Sequence, residues 1–261
     1  MKEKHTILYK NIGETPLEAL ERFRVERIKS APDSNEAGYW KNVPMTYAGR
    51  LDPMAEGKLL ILIGEECKNK EKYLSLDKEY EIEIVFGIAT DTYDSLGIPQ
   101  GRPAYFTQVY PAQIQFQNYL GKFIQPYPPY SSKTVDGVQL HELSRRNELP
   151  KEMPSKEVEI YEIEMVAGHT FVGLTCEELK ARIFYMIDRV HGDFRQEEIK
   201  GRWREVLDDG VSGNESFEVM SIRVKCSSGT YMRSLAHRMG QDLGTGAFAL
   251  SIKRTKIFGL Q

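Results

Sequence analysis

Two periodicities run through the chain. Helical spacing appears first between Thr15 and Ile28, where Leu17, Leu20, Phe23 and Ile28 form a stripe, Thr15 suits an N-cap and Pro16 the first turn. The same reading gives helices over 65–76, 111–120 and 137–146, and two charged helices over 176–190 and 196–207. A last helix spans 229–243, with Met232, Leu235, Ala236, Met239 and Leu243 on one apolar face. Period-two alternation marks strands. Tyr80, Ile82, Ile84 and Phe86 share one side of a segment whose other side holds Glu81, Glu83 and Val85. Residues 157–165, 217–226 and 247–256 also read as strands, and the apolar run at 58–64 as a short buried one. The polar stretch 30–43 and the proline-rich stretch 125–130 read as loops. Strands and helices mixed in no regular order predict an α+β fold with a mixed, mainly antiparallel sheet.

Composition narrows the function classes. The hydrophobic fraction is 41% and the charged fraction 28%, as expected of a globular protein with a sizeable core. No apolar run approaches the roughly 20 residues that span a bilayer, and residues 1–9 lack the apolar stretch of a secretory signal. A cytoplasmic location without membrane contact is expected. Cys67, Cys176 and Cys226 are too scattered for a disulfide framework, and the five histidines form no i, i+4 pair, so no metal site is expected. A net charge of −3 argues mildly against a nucleic-acid partner, but a local basic face suffices for one. Arg223, Lys225, Arg233, Arg238, Lys253, Arg254 and Lys256 lie close in sequence; they form either such a face or scattered solvated charge.

The segment Tyr47-Ala-Gly49-Arg50-Leu51-Asp52-Pro53-Met-Ala-Glu56-Gly57 holds a carboxylate between two glycines and just before a proline, which favours extended backbone at Asp52. An aspartate in an ordinary turn would look much the same. The surrounding residues separate the two readings. Gly-x-Leu-Asp-Pro-x-Ala-x-Gly resembles the catalytic loop of TruB-type pseudouridine synthases. Five further stretches resemble family motifs in the family's order: Lys10 to Thr15, Asp77 to Tyr80, Thr90 to Gly97, Pro128 to Gly137 and Cys226 to Leu235. The resemblance covers residues 10–256 apart from one insertion.

The resemblance implies a pseudouridine synthase fold, with helices and loops around one active-site cleft, and isomerisation of uridine to pseudouridine in RNA, most simply uridine 55 in the TΨC loop of tRNA. The base is flipped out, the N1–C1′ bond is cleaved and a C5–C1′ bond forms, without cofactor or metal. It also implies roles. Asp52 is the catalytic carboxylate, as nucleophile or base. Arg233 is its partner, with a guanidinium fork suited to a bidentate grip. Tyr80 stacks on the target base and handles a proton at C5. Lys10, Tyr47, Tyr231 and Ile252 are expected to contact substrate.

Asn11, Tyr47 and His141 depart from the residues the family usually has at those positions. Residues 168–215 are an insertion rich in charge, including Glu177, Glu178, Lys180, Arg182, Arg202 and Arg204, and read as an RNA-binding lobe, a partner surface or neutral decoration. A single catalytic domain over 1–261, monomeric and without the C-terminal PUA domain of many relatives, is the expectation. The alternative is a non-catalytic RNA-binding or RNA-folding protein on the same scaffold. A hydrolase using Asp52 and Glu56 as a carboxylate pair would leave the other motifs to chance.

Overall fold

A computed structural model describes residues 3–101, 103, 114–166, 171–208 and 215–260. The chain opens with strand β1 (His5–Lys10) and helix α1 (Pro16–Lys29). Thr15 caps α1 through a reciprocal pair with Glu18, its hydroxyl accepting from the Glu18 amide while the Glu18 carboxylate accepts from the Thr15 amide. The expected loop at 30–43 is instead largely helix α2 (Ser34–Asn42). Asp33 caps it by accepting from the Asn35 and Glu36 amides, and Trp40 packs edge-on against Phe23, so capping and one aromatic anchor override a polar composition.

Strands β2 (Met45–Ala48) and β3 (Glu56–Ile63) follow, then a 3-10 turn at Gly64–Asn69 and a short helix α3 (Lys70–Leu74) where one longer helix was expected. Next come β4 (Lys78–Phe86), β5 (Ala89–Thr90), β6 (Pro99–Gln100), β7 (Gly121–Pro126), β8 (Thr134–Val135), β9 (Val138–Gln139) and α4 (Leu140–Arg145). The helix expected over 111–120 appears as a 3-10 turn at Phe116–Tyr119, with 111–113 outside the described residues. The chain closes with β10 (Ser155–Met165), β11 (Phe171–Thr175), α5 (Cys176–Ile187), α6 (Gln196–Asp208), β12 (Ser216–Cys226), α7 (Met232–Asp242) and β13 (Ala247–Ile257).

The fold is α+β, as the alternation predicts. The main sheet runs β1-β3-β13-β4-β12-β10-β7, with β2 added on β3 and β11 on β12. Every pairing is antiparallel except β13 on β3, where Lys253 faces Glu56 and Arg254 faces Gly57. That parallel contact joins the two halves of the sheet at the loop carrying Asp52. It requires glycine at position 57, where φ is +108° and a Cβ would stand 2.4 Å from the Arg254 carbonyl oxygen.

The described part of residues 168–215, expected to be an insertion, packs into the core. Its α5 and α6 bury Leu179, Ile183, Ile187, Ile199, Trp203 and Leu207 with Phe217, Val219 and Phe248 of the sheet. Trp203, fully buried, also donates to the Gly97 carbonyl at 3.1 Å. The segment's charges are largely spent internally: Glu178 caps α5 with Thr175, Lys180 pairs with Asp208, Arg202 with Glu205, and Arg182 reaches Glu83 on β4.

Candidate active site

The Asp52 loop connects β2 to β3 and is clamped from behind by two buried cations. Lys10, at 0% exposure, donates to the carbonyls of Asn11, Pro53 and Ala55 at 3.0, 3.3 and 2.6 Å. Arg254, at 1% exposure, donates to the carbonyls of Lys58, Arg50 and Gly49 at 2.6, 3.3 and 3.2 Å. The Gly13 amide adds a bond to the Pro53 carbonyl, and the Ala55 amide closes a turn onto the Asp52 carbonyl. A short irregular loop buried on one side would otherwise leave these carbonyls unpaired. Burial pushes the Lys10 ammonium down to about 8, against the opposing pull of Asp52.

The Asp52 side chain, 39% exposed, faces the cleft, and Arg233 stands behind it with Nε 2.8 Å from Oδ2. The expected bidentate grip does not form. The two Nη groups of Arg233 donate instead to the carbonyls of Thr92 and Tyr130 at 2.9 and 3.1 Å, so only the Nε edge is turned to the carboxylate. That edge serves a second carboxylate too, since Asp94 Oδ2 lies 3.4 Å from the same nitrogen. A cation in the first turn of α7 opposes the helix dipole, and these two acids offset that cost. Burial alone would depress the Arg233 guanidinium, but Asp52 and Asp94 outweigh it and hold the charge firmly.

Asp94 is the residue that sequence reasoning missed as a member of the site, although it lies in the Thr90–Gly97 motif. It accepts from the Thr92 hydroxyl at 2.6 Å and the Leu96 amide at 2.9 Å, and its turn is stitched to β13 by bonds between Tyr93, Ser95 and Ala249. Burial pushes its carboxyl up to about 6, although Arg233 and the Thr92 hydrogen bond pull it down.

Asp52 opens into a cleft of about 930 Å³. Tyr80 of β4, Tyr231 at the N-cap of α7, Ile252 of β13 and Tyr47 of β2 all line it. Burial raises the Tyr80 phenol, with Arg254 opposing, and raises Tyr231 to about 12, with Asp52 reinforcing. Both hydroxyls therefore keep their protons at neutral pH. The Tyr231 backbone is held in both directions by the Gln125 side chain, at 2.8 and 3.1 Å. His141 also lines the cleft, whereas Asn11 bonds Glu14 at the surface.

Two expectations are corrected. Lys10 lies under the loop and does not line the cleft, because the pairing of Lys10 with Gly57 turns its side chain toward the loop carbonyls. The basic C-terminal residues do not converge as free charge beside the cleft. Arg254 is buried, Arg223 pairs with Glu81 and Glu164, Lys225 with Glu162, and Lys256 with Glu79. Nor does the structure bring Glu56 into the cleft with Asp52, since Glu56 accepts from the Tyr9 hydroxyl at 2.7 Å. The exposed cations that do line the cleft are Arg50, Arg145 and Lys156. Among the described residues no cluster of side chains is arranged to hold a metal ion, and no helix is long and apolar enough to cross a membrane.

A family model described as "TruB family pseudouridylate synthase (N terminal domain)" matches residues 40–179. A protein of Borrelia garinii subsp. bavariensis named "tRNA pseudouridine synthase B" is 27% identical over 219 residues, which cover 84% of this chain and 61% of the relative. The protein of that name in Syntrophomonas wolfei is 29% identical over 214 residues, covering 80% of this chain and 56% of its own. The chain thus spans about three fifths of the length of these relatives. A chain in the structure described as "Crystal Structure of a Cbf5-Nop10-Gar1 Complex" superposes with a TM-score of 0.51 at 17% identity, over 97% of this chain and 48% of that one, which is a likeness of fold.

Proposed function

The chain belongs to the TruB family of pseudouridylate synthases, and from that premise we propose that it isomerises uridine to pseudouridine in tRNA, at the uridine of the TΨC loop. One observation carries the reading: a half-exposed carboxylate, Asp52, is held at the floor of an aromatic-walled cleft by a buried arginine 2.8 Å away.

The chemistry asks little more. Uridine and pseudouridine are isomers, so atoms and electrons balance within the nucleotide: the N1–C1′ bond breaks, the uracil turns, the C5–C1′ bond forms, the C5 proton leaves and N1 gains one. Asp52 acts on the sugar, as nucleophile at C1′ or as base, with Arg233 Nε 2.8 Å from its carboxylate fixing its place. Tyr80 and Tyr231 supply ring faces that replace the stacking the flipped base gives up. The protonated Tyr80 hydroxyl relays the proton released at C5, passing its own proton on to solvent as it takes that one up. Arg50, Arg145 and Lys156 at the mouth of the cleft meet the phosphates of the displaced strand. A cytoplasmic monomer acting on tRNA without cofactor fits this reading.

The test is to map pseudouridine in cellular RNA with and without the gene. Loss of the TΨC pseudouridine across tRNAs is expected. If every tRNA pseudouridine persists, the tRNA assignment fails, and loss at another RNA would reassign the substrate.

A further inference from the structure

We infer that Arg195, carried by the insertion, is a positioning residue that holds Arg233 in its working geometry. The inference deepens the proposed function and rests on it. Arg233 is fixed by two carbonyls, those of Thr92 and Tyr130. Arg195 grips both segments that supply them. Its Nη1 lies 2.9 Å from Asp91 Oδ2, next to Thr92 in the chain, and its guanidinium carbon lies 4.6 Å from the centre of the Tyr130 ring. Both partners of the ion pair are largely buried, with side chains 20% and 17% exposed, so the pair is shielded from the screening that weakens surface pairs.

The insertion sets Arg195 firmly. The residue has φ of +63°, a left-handed conformation uncommon for a side chain of this size. It is kept there because its carbonyl accepts from the Ile199 amide at the start of α6, while its own amide donates to Asp193 Oδ1. About two turns into α6, Trp203 donates to the Gly97 carbonyl. The insertion therefore braces the 91–98 turn at both ends, and that turn carries Asp94 and the Thr92 carbonyl. Arg195 and Phe194 also form part of the cleft wall.

The test compares Arg195→Ala and Arg195→Lys with the wild-type chain, on a tRNA TΨC stem-loop transcript. Single-turnover rates at saturating enzyme are separated from half-saturation, and the Arg233 Nε–H resonance is followed by 15N NMR, assigned from Arg233→Lys. Arg195→Ala should lower the saturating rate by about tenfold or more while half-saturation moves less than about twofold. The Arg233 Nε–H signal should shift or broaden. Arg195→Lys, which keeps the Asp91 pair and loses the stack on Tyr130, should recover part of both. Should Arg195→Ala fail to fold, Asp91→Asn cuts the same pair from the other side and should give the same split. An unchanged saturating rate with an unmoved Arg233 signal overturns the inference. So does an effect confined to half-saturation, which would make Arg195 an RNA contact. If the wild type forms no pseudouridine on any RNA, the functional reading falls, and the Arg233 resonance still decides whether Arg195 positions it.

Discussion

The cleft floor and the outer strand surface of β12 and β13 use the same residue types in opposite ways. Around Asp52, Lys10, Arg233 and Arg254 are buried, and between them they bond eight backbone carbonyls. On the strand surface, Arg223, Lys225 and Lys256 are partly or well exposed and pair with glutamates across the ladder. Desolvation makes the difference. A buried cation bonded to carbonyls fixes a loop and keeps its field, whereas an exposed pair neutralises itself and is screened by salt. Charge counts along the sequence therefore say little about where electrostatics matter.

The largest effect should come from Arg254→Met. It strips three partly buried carbonyls of a charged donor, each bond being worth about 1–3 kcal/mol, so urea denaturation should show a loss of about 3 kcal/mol or more. A loss near zero would mean that the loop is held by other contacts. Next is Arg233→Lys. A lysine keeps the charge but cannot bond Thr92 and Tyr130 and face Asp52 together, so kcat/KM should fall by at least about tenfold, or about 1.4 kcal/mol. Parity with wild type would separate the guanidinium shape from catalysis.

Asp94 gives a pH signature. Its carboxyl, at about 6 in the folded chain, has an ordinary value of 3.8. Between those values the folded state binds more protons than the unfolded state, so this group makes stability fall as pH rises through the window, by no more than about 1.4 kcal/mol per pH unit. Denaturation midpoints of Asp94→Asn compared with wild type from pH 4.5 to 7 should isolate that slope. Identical slopes would place Asp94's proton elsewhere. The smallest effects belong to the strand surface. Arg223→Gln should cost under about 1 kcal/mol and leave the salt dependence of RNA binding unchanged, while Arg50→Gln at the cleft should reduce the log–log salt slope by about 0.7–0.9. The reverse pattern would make the strand surface the RNA face.

Much of this contrast is hidden from sequence because it is made by pairings far apart in the chain. The alternating strands β4, β10, β12 and β13 are legible, since a half-buried strand writes its faces into neighbouring residues. Strand β1 is not, because its six residues alternate weakly, and β11 is a short strand defined by its pairing with β12 far along the chain. Helix α2 carried one overlooked signal, Asp33 three residues before Glu36. At the site, the residue types Asp52, Tyr80 and Arg233 are legible through motifs. That Lys10 points under the loop follows from its register opposite Gly57, and that Asp94 shares Arg233 follows from a turn docked on β13. Arg195 sits in the insertion, where no motif marks it.

The central claim, that the buried arginine holds Asp52 ready for chemistry at the sugar, is tested most directly by tritium release. RNA carrying uridine tritiated at C5 loses the label only when C5 bonds to C1′, so release counts turnovers. Asp52→Asn is nearly isosteric and leaves the phosphate contacts in place, so it should bind a TΨC stem-loop within about twofold of wild type, since those contacts supply most of the affinity. The account predicts no detectable tritium release from that bound complex under conditions where the wild-type chain releases it completely. Release by Asp52→Asn at a rate near wild type would contradict it, and the carboxylate at the floor of the cleft would not be the catalytic one.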